Sequence, residues 1–193
     1  MEVEAMPGRE FDEHSYALAA KTEMERARPG DWNHAKRVAE WVKKIGKDRE
    51  HLPLLITAAY IHDIGWRDVL PSGKKITFDE LLAFEPQANE NSDPYAREFL
   101  KSQDFSDEEI STVISFIKAA DAHESHTDDE AVIVDADNLS KLNIDHLKEK
   151  YQPTEWTKMY EMWLEEFPSR INTEYARSLL PSLFKELQEH ITS

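Results

Sequence analysis

"ITAAYIHDIGW", residues 56–66, is apolar until it reaches two adjacent metal-capable side chains, His62 and Asp63. Pro53 suits the first turn of a helix. Leu54, Leu55, Ala58, Ala59 and Ile61 then make the segment apolar on nearly every side, as in a central buried helix that runs out at Gly65. His62 lies one turn from Ala58 and Ala59, so its imidazole is expected to point inward. Asp63 is harder to accommodate, because a carboxylate there is costly to bury unless it is paired or bound to a cation.

Two further segments aim similar groups at the same core. "DWNHAKRVAEWVKKIG" reads as an amphipathic helix capped by Asp31 and ending near Gly46, with His34 on the face of Val38, Trp41 and Ile45. "AVIVDADNL" has the β-branched content of a strand. However, the Ser/Thr-x-x-Glu box at Thr127/Glu130 and the spacing of Ile133, Asp137 and Lys141 favour a helix that carries Asp137 inward. Each histidine alone reads first as a core imidazole bonded to a backbone carbonyl. Four metal-capable groups from three helices are explained together by one shared cation.

Further boxes at Thr77/Glu80 and Ser106/Glu109 mark two more helix starts. "PTEWTKMYEMWLEEF" and "NTEYARSLLPSLFKELQEHI" are amphipathic, with Pro181 expected to bend or interrupt the second. Residues 66–94, rich in Pro, Gly, Asn and Ser, read as a partly irregular wall or lid broken by a short helix at "TFDELLAF". The fold expected is all-α. It is a single globular helical bundle over residues 1–193, with a metal-site core at about 31–142 and C-terminal helices at 153–192 packed on it.

Composition bounds the chemistry. The chain lacks cysteine, which removes disulfides, zinc-thiolate sites and thiol nucleophiles and leaves His, Asp and Glu as metal ligands. A formal charge of -16 argues against a nucleic-acid polymer as partner, although a pocket cation can reverse the local potential for a small phosphorylated ligand. "MEVEAMPGRE" has no signal-peptide pattern, and no apolar run approaches the roughly 20 residues of a membrane span, so a soluble, cytoplasmic protein without membrane association is expected. A homo-oligomer stays open.

His34, the pair His62-Asp63 and Asp137 within "VDADNL" resemble the H...HD...D pattern of the HD-domain metal-dependent phosphohydrolases, and "DWNHAKRV" resembles the first-ligand helix of its small stand-alone members. A weaker likeness runs through "AREFLKSQDFSDEEISTVISFI" and "RINTEYARSLL". The resemblance implies that His34, His62, Asp63 and Asp137 bind one divalent cation (Mn, Co, Ni, Fe or Mg). It also implies attack of an activated water on a small phosphorylated substrate, a nucleotide or related phosphate ester.

Lys141, one turn after Asp137, and Arg37, three residues after His34, are candidate phosphate contacts; solvated helix-surface charges are the alternative for both. The chain departs from several family branches at Trp66, where they carry an acidic or basic residue. Asp68 is the nearest replacement as a catalytic proton carrier, against its reading as an ordinary loop carboxylate. His123 and His126 fall in "DAHESHTDDE", which reads first as a hydrophilic connection. Histidines that complete two-metal members are not evident, so one metal is expected. The competing function is a catalytically weak HD domain that binds metal and nucleotide as a sensor or interaction module.

Overall fold

The computed structural model describes residues 11–71 and 73–192, so the "MEVEAMPGRE" reading lies outside the described residues. Nine α-helices are present among them: α1 (Glu13–Met24), α2 (Asp31–Ile45), α3 (Leu52–Ile61), α4 (Phe78–Ser102), α5 (Asp107–Ala122), α6 (Asp128–Lys141), α7 (Ile144–Lys150), α8 (Trp156–Arg170) and α9 (Glu174–Ile191). Short 3-10 turns occupy Ile64–Trp66 and Pro153–Glu155. The described residues contain no strand, only an isolated bridge between Ile76 and Tyr151. None of their helices is long and apolar enough to cross a membrane.

The fold is all-α, and its helix starts follow local chemistry. Thr77, Ser106 and Thr127 each accept from the amide of the glutamate three residues on, whose carboxylate accepts from the cap amide in return. The "AVIVDADNL" segment is helical because α6 is buried on nearly all sides, where β-branched side chains pack as well as in a sheet. Its two aspartates divide their work. Asp137 enters the site described below, whereas buried Asp135 accepts from the amides of Asn172 and Thr173 and from the Thr173 hydroxyl, anchoring the start of α9.

Several expectations need correction. Asp31 does not cap α2: Gly30 does, in a left-handed conformation (φ 82) where a Cβ would stand 2.6 Å from Glu149 Cβ. Asp31 is freed for ion pairing inside the bundle. α3 ends at Ile61 rather than Gly65, with His62 as its C-cap. Most of the supposed irregular stretch is helix, since α4 continues through Pro86 and Pro94. Each proline forfeits one helical hydrogen bond, but Leu81, Ala88, Ser92, Ala96, Phe99 and Leu100 bury a continuous face that outweighs the loss. Pro181 likewise leaves α9 unbroken.

The backbone just after His62 and Asp63 packs directly on α4. A Cβ at Gly65 would lie 2.0 Å from the Ala88 carbonyl oxygen, so only glycine admits this approach. One apolar core gathers α1 to α6 and a second gathers α4 and α6 to α9, with Trp41 and Ile45 of α2 packed against both. The site lies where these cores meet.

Candidate metal centre

Three helices bring the metal-capable groups together. His34 projects from the first turn of α2, His62 caps α3 with Asp63 beside it, and Asp137 lies in the penultimate turn of α6. His34 Nε2 is 3.1 Å from His62 Nε2 and 3.1 Å from Asp137 Oδ1, and His62 Nε2 is 3.5 Å from the same oxygen. Asp63 Oδ2 stands 3.7 Å and 3.8 Å from the two imidazole nitrogens. The His34, His62 and Asp63 group has the composition and spacing to hold a metal ion.

The outer nitrogens decide which way the rings face. His62 Nδ1 is 2.9 Å from the Ala59 carbonyl, which only accepts, so Nδ1 carries the proton. The Ser140 hydroxyl donates to the Asp137 carbonyl and is 3.0 Å from His34 Nδ1, so it accepts the His34 Nδ1 proton. When both rings are neutral, the two Nε2 atoms therefore present lone pairs to each other and to two carboxylates. Such lone pairs and carboxylate oxygens repel unless a positive charge, a proton on His62 or a metal ion, lies among them, and the hydrogen bonds to Ala59 and Ser140 are the kind of outer support that orients imidazoles at a metal.

Burial and nearby charge shape the protonation states. Burial, then Lys150, holds the His34 imidazole well below its ordinary value. Burial pushes His62 down as well, but Asp63 and Asp137 reverse this and leave it raised. Burial disfavours both carboxylates as anions, yet Arg28 and Lys150 hold Asp63, and Lys141 with the two histidines holds Asp137, well below the usual range.

Of the candidate substrate contacts, Lys141 is at the centre. Its Nζ donates to Asp137 Oδ2 at 2.7 Å, and it lines the cavity that opens beside the four groups. Arg37 is elsewhere, drawn to Glu149 of α7, to whose Oε2 it donates at 3.0 Å on a surface groove. Asp68 is not at the cavity either. After the 3-10 turn the chain swings outward, and Asp68, with φ 61, pairs with Arg26 at the surface. His123 lines the cavity and His126 does not.

The cavity, about 150 Å³, also contains groups that sequence reasoning missed. Arg28 donates to Asp63 Oδ2 at 2.7 Å and lies 3.9 Å from the centre of the Trp66 ring, which gives Trp66 a role as a platform for the guanidinium. Lys150 Nζ is 3.1 Å from the same Asp63 oxygen. His146, buried on α7, packs its ring 4.8 Å from that of His34 and 5.7 Å from that of Trp163, and its Nδ1 has no hydrogen-bond partner. Asp121, in the last turn of α5, also lines the cavity. α7 carries no long apolar pattern, so the only sequence signal for His146 and Lys150 was their spacing of one helical turn. Compared with known proteins, this chain matches no family model, no curated protein and no solved structure.

Proposed function

We propose that this chain is an HD-domain type, metal-dependent phosphohydrolase acting on a nucleotide or related small phosphate ester, with one divalent cation held by His34, His62, Asp63 and Asp137. The observation that carries this reading is the pair of Nε2 atoms facing each other at 3.1 Å beside two carboxylates, with both outer nitrogens engaged elsewhere. A divalent cation at that point would supply polarisation of a phosphoryl oxygen and acidification of a water.

The surrounding charges suit a phosphate dianion. Asp31, Asp63 and Asp137 are matched by Arg28, Lys141 and Lys150 in mutual ion pairs, so the protein groups cancel. A bound dication would add two positive charges to this neutral network, the sign that attracts a phosphoryl group, with Glu85 and Asp121 as the unpaired carboxylates of the cavity wall among the described residues. Lys141, already aligned on Asp137, offers an ammonium at the cavity wall for a phosphoryl oxygen.

The test is hydrolysis of a panel of nucleotides and simple phosphate esters with added Mn²⁺, Co²⁺, Ni²⁺, Fe²⁺ or Mg²⁺. Release of inorganic phosphate or pyrophosphate that chelation abolishes supports the hydrolase. Metal and nucleotide binding without turnover would favour the sensor or interaction module, the reading that Trp66 keeps in play by placing an indole where family branches have an acid or base.

A further inference from the structure

Two carboxylates that line the cavity, Asp121 on α5 and Glu85 on α4, have no ion-pair partner among the described residues, and burial raises the carboxyl of Asp121. Asp63 and Asp137 are each held by cations, and Glu166 pairs with Arg170 at 2.7 Å. Asp121 has no ion-pair partner among the described residues, and its only hydrogen-bonding neighbour is the Ser92 hydroxyl of α4, itself a donor to the Ala88 carbonyl. It projects from the last turn of α5, where the carbonyl ends of the helix disfavour a negative charge. His62 and Asp63 at the end of α3 and Asp137 on α6 face it across the cavity, without a hydrogen bond to it.

We propose that Asp121 is the catalytic residue that protonates the leaving-group oxygen, a role that rests on the hydrolase reading above. It supplies what Asp68 cannot from the surface. Burial raises its carboxyl to about 7; the opposing pull of Ser92 is smaller, and Asp63 adds to the rise. An acid in that range still carries its proton near neutrality and gives it up readily to an alkoxide.

The step balances with water as the sole co-reactant. The water oxygen forms a bond to phosphorus, and the phosphorus–oxygen bond to the leaving group breaks with its electron pair moving to that oxygen. The Asp121 proton passes to the oxygen and completes the alcohol. One proton of the water stays on the phosphate product, and the other restores the Asp121 acid.

Leaving-group dependence tests this directly. Wild type and Asp121→Asn are assayed with Mn²⁺ on p-nitrophenyl phosphate, phenyl phosphate and an alkyl phosphate, with metal content measured in parallel. Expected is a loss in kcat/KM of about 100-fold or more for phenyl and alkyl phosphate. The loss for p-nitrophenyl phosphate, whose leaving group departs without a proton, should stay below about tenfold, at unchanged metal content. An equal loss across the three esters, or none, overturns the assignment of Asp121 while leaving the hydrolase reading standing. Wild type inert on every ester overturns the hydrolase reading and this role with it. Should Asp121→Asn fail to fold, the wild-type series decides alone: a steep fall in rate with leaving-group basicity means that no proton is delivered and refutes the proposal, and a shallow one supports it.

Discussion

Lys150 and Asp31 form an ion pair at 2.5 Å in which both side chains are almost wholly buried, 2% and 0% exposed. The pair is the floor beneath Asp63, since Lys150 also reaches Asp63 and Arg28 bridges Asp31 to Asp63. Truncating one partner leaves an uncompensated buried charge. Lys150→Met is therefore expected to destabilise the protein by about 3–5 kcal/mol, read from denaturant midpoints. A loss below about 1 kcal/mol would show that this network does not support the site.

The metal prediction is independent of turnover. Elemental analysis of purified protein should give about one divalent transition metal per chain, with little or none in a folded His62→Ala variant. Equal metal in both would remove His62 from the ligand set and undo the site assignment.

Lys141 is expected to contribute to phosphate binding because its ammonium sits on Asp137 at the cavity wall. Lys141→Met should lower kcat/KM for a phosphate ester by an amount on the order of 1–3 kcal/mol while leaving the metal in place. Kinetics like those of wild type would return Lys141 to a purely structural partner of Asp137.

His123 gives a pH signature. It caps α5 with φ 56, and its Nδ1 is buried without a hydrogen-bond partner. Burial, together with Lys141, lowers its imidazole to about 3. Between that value and about 6.5, the unfolded chain binds a proton that the folded one does not, so acidification favours unfolding. Asp121, whose carboxyl is raised, contributes in the opposite direction over part of this range, which makes the comparison with a variant the cleaner measurement. Relative to wild type, His123→Gln should gain up to about 1.4 kcal/mol of stability for each pH unit below 6.5. Parallel stability curves for the two proteins would show that His123 protonates freely in the fold.

How much of the site was legible depends on how each residue is fixed. His34, His62 and Asp137 could be named because helical periodicity dictates which way such a side chain points, and Asp63 because a carboxylate at the end of so apolar a helix needs a partner. The same periodicity placed Lys141 beside Asp137. It failed for Asp68, because one left-handed residue after a 3-10 turn sends the chain outward, and for Arg37, because its carboxylate partner comes from distant α7. Capping boxes fixed the starts of α4, α5 and α6 through bonds made within four residues. Pro86, Pro94 and Pro181 misled because a proline's local cost is visible in sequence, whereas the buried face that offsets it is not.

The sequence by itself therefore determined the all-α class, the helix starts that carry capping boxes, and the inward direction of four metal-capable groups, all consequences of contacts between residues a turn apart. Only the tertiary structure decided that the two imidazoles meet each other and both carboxylates within 4 Å while His34, His62 and Asp63 alone form the close group, that Arg28, Asp31 and Lys150 pair with one another and with Asp63 beneath them, and that His146 and Asp121 line the same cavity. These relations join residues from α2, α3, α5, α6 and α7 that are distant in the chain. Their distances are set by how closely the helices pack, as where Gly65 lets the chain after Asp63 close on Ala88.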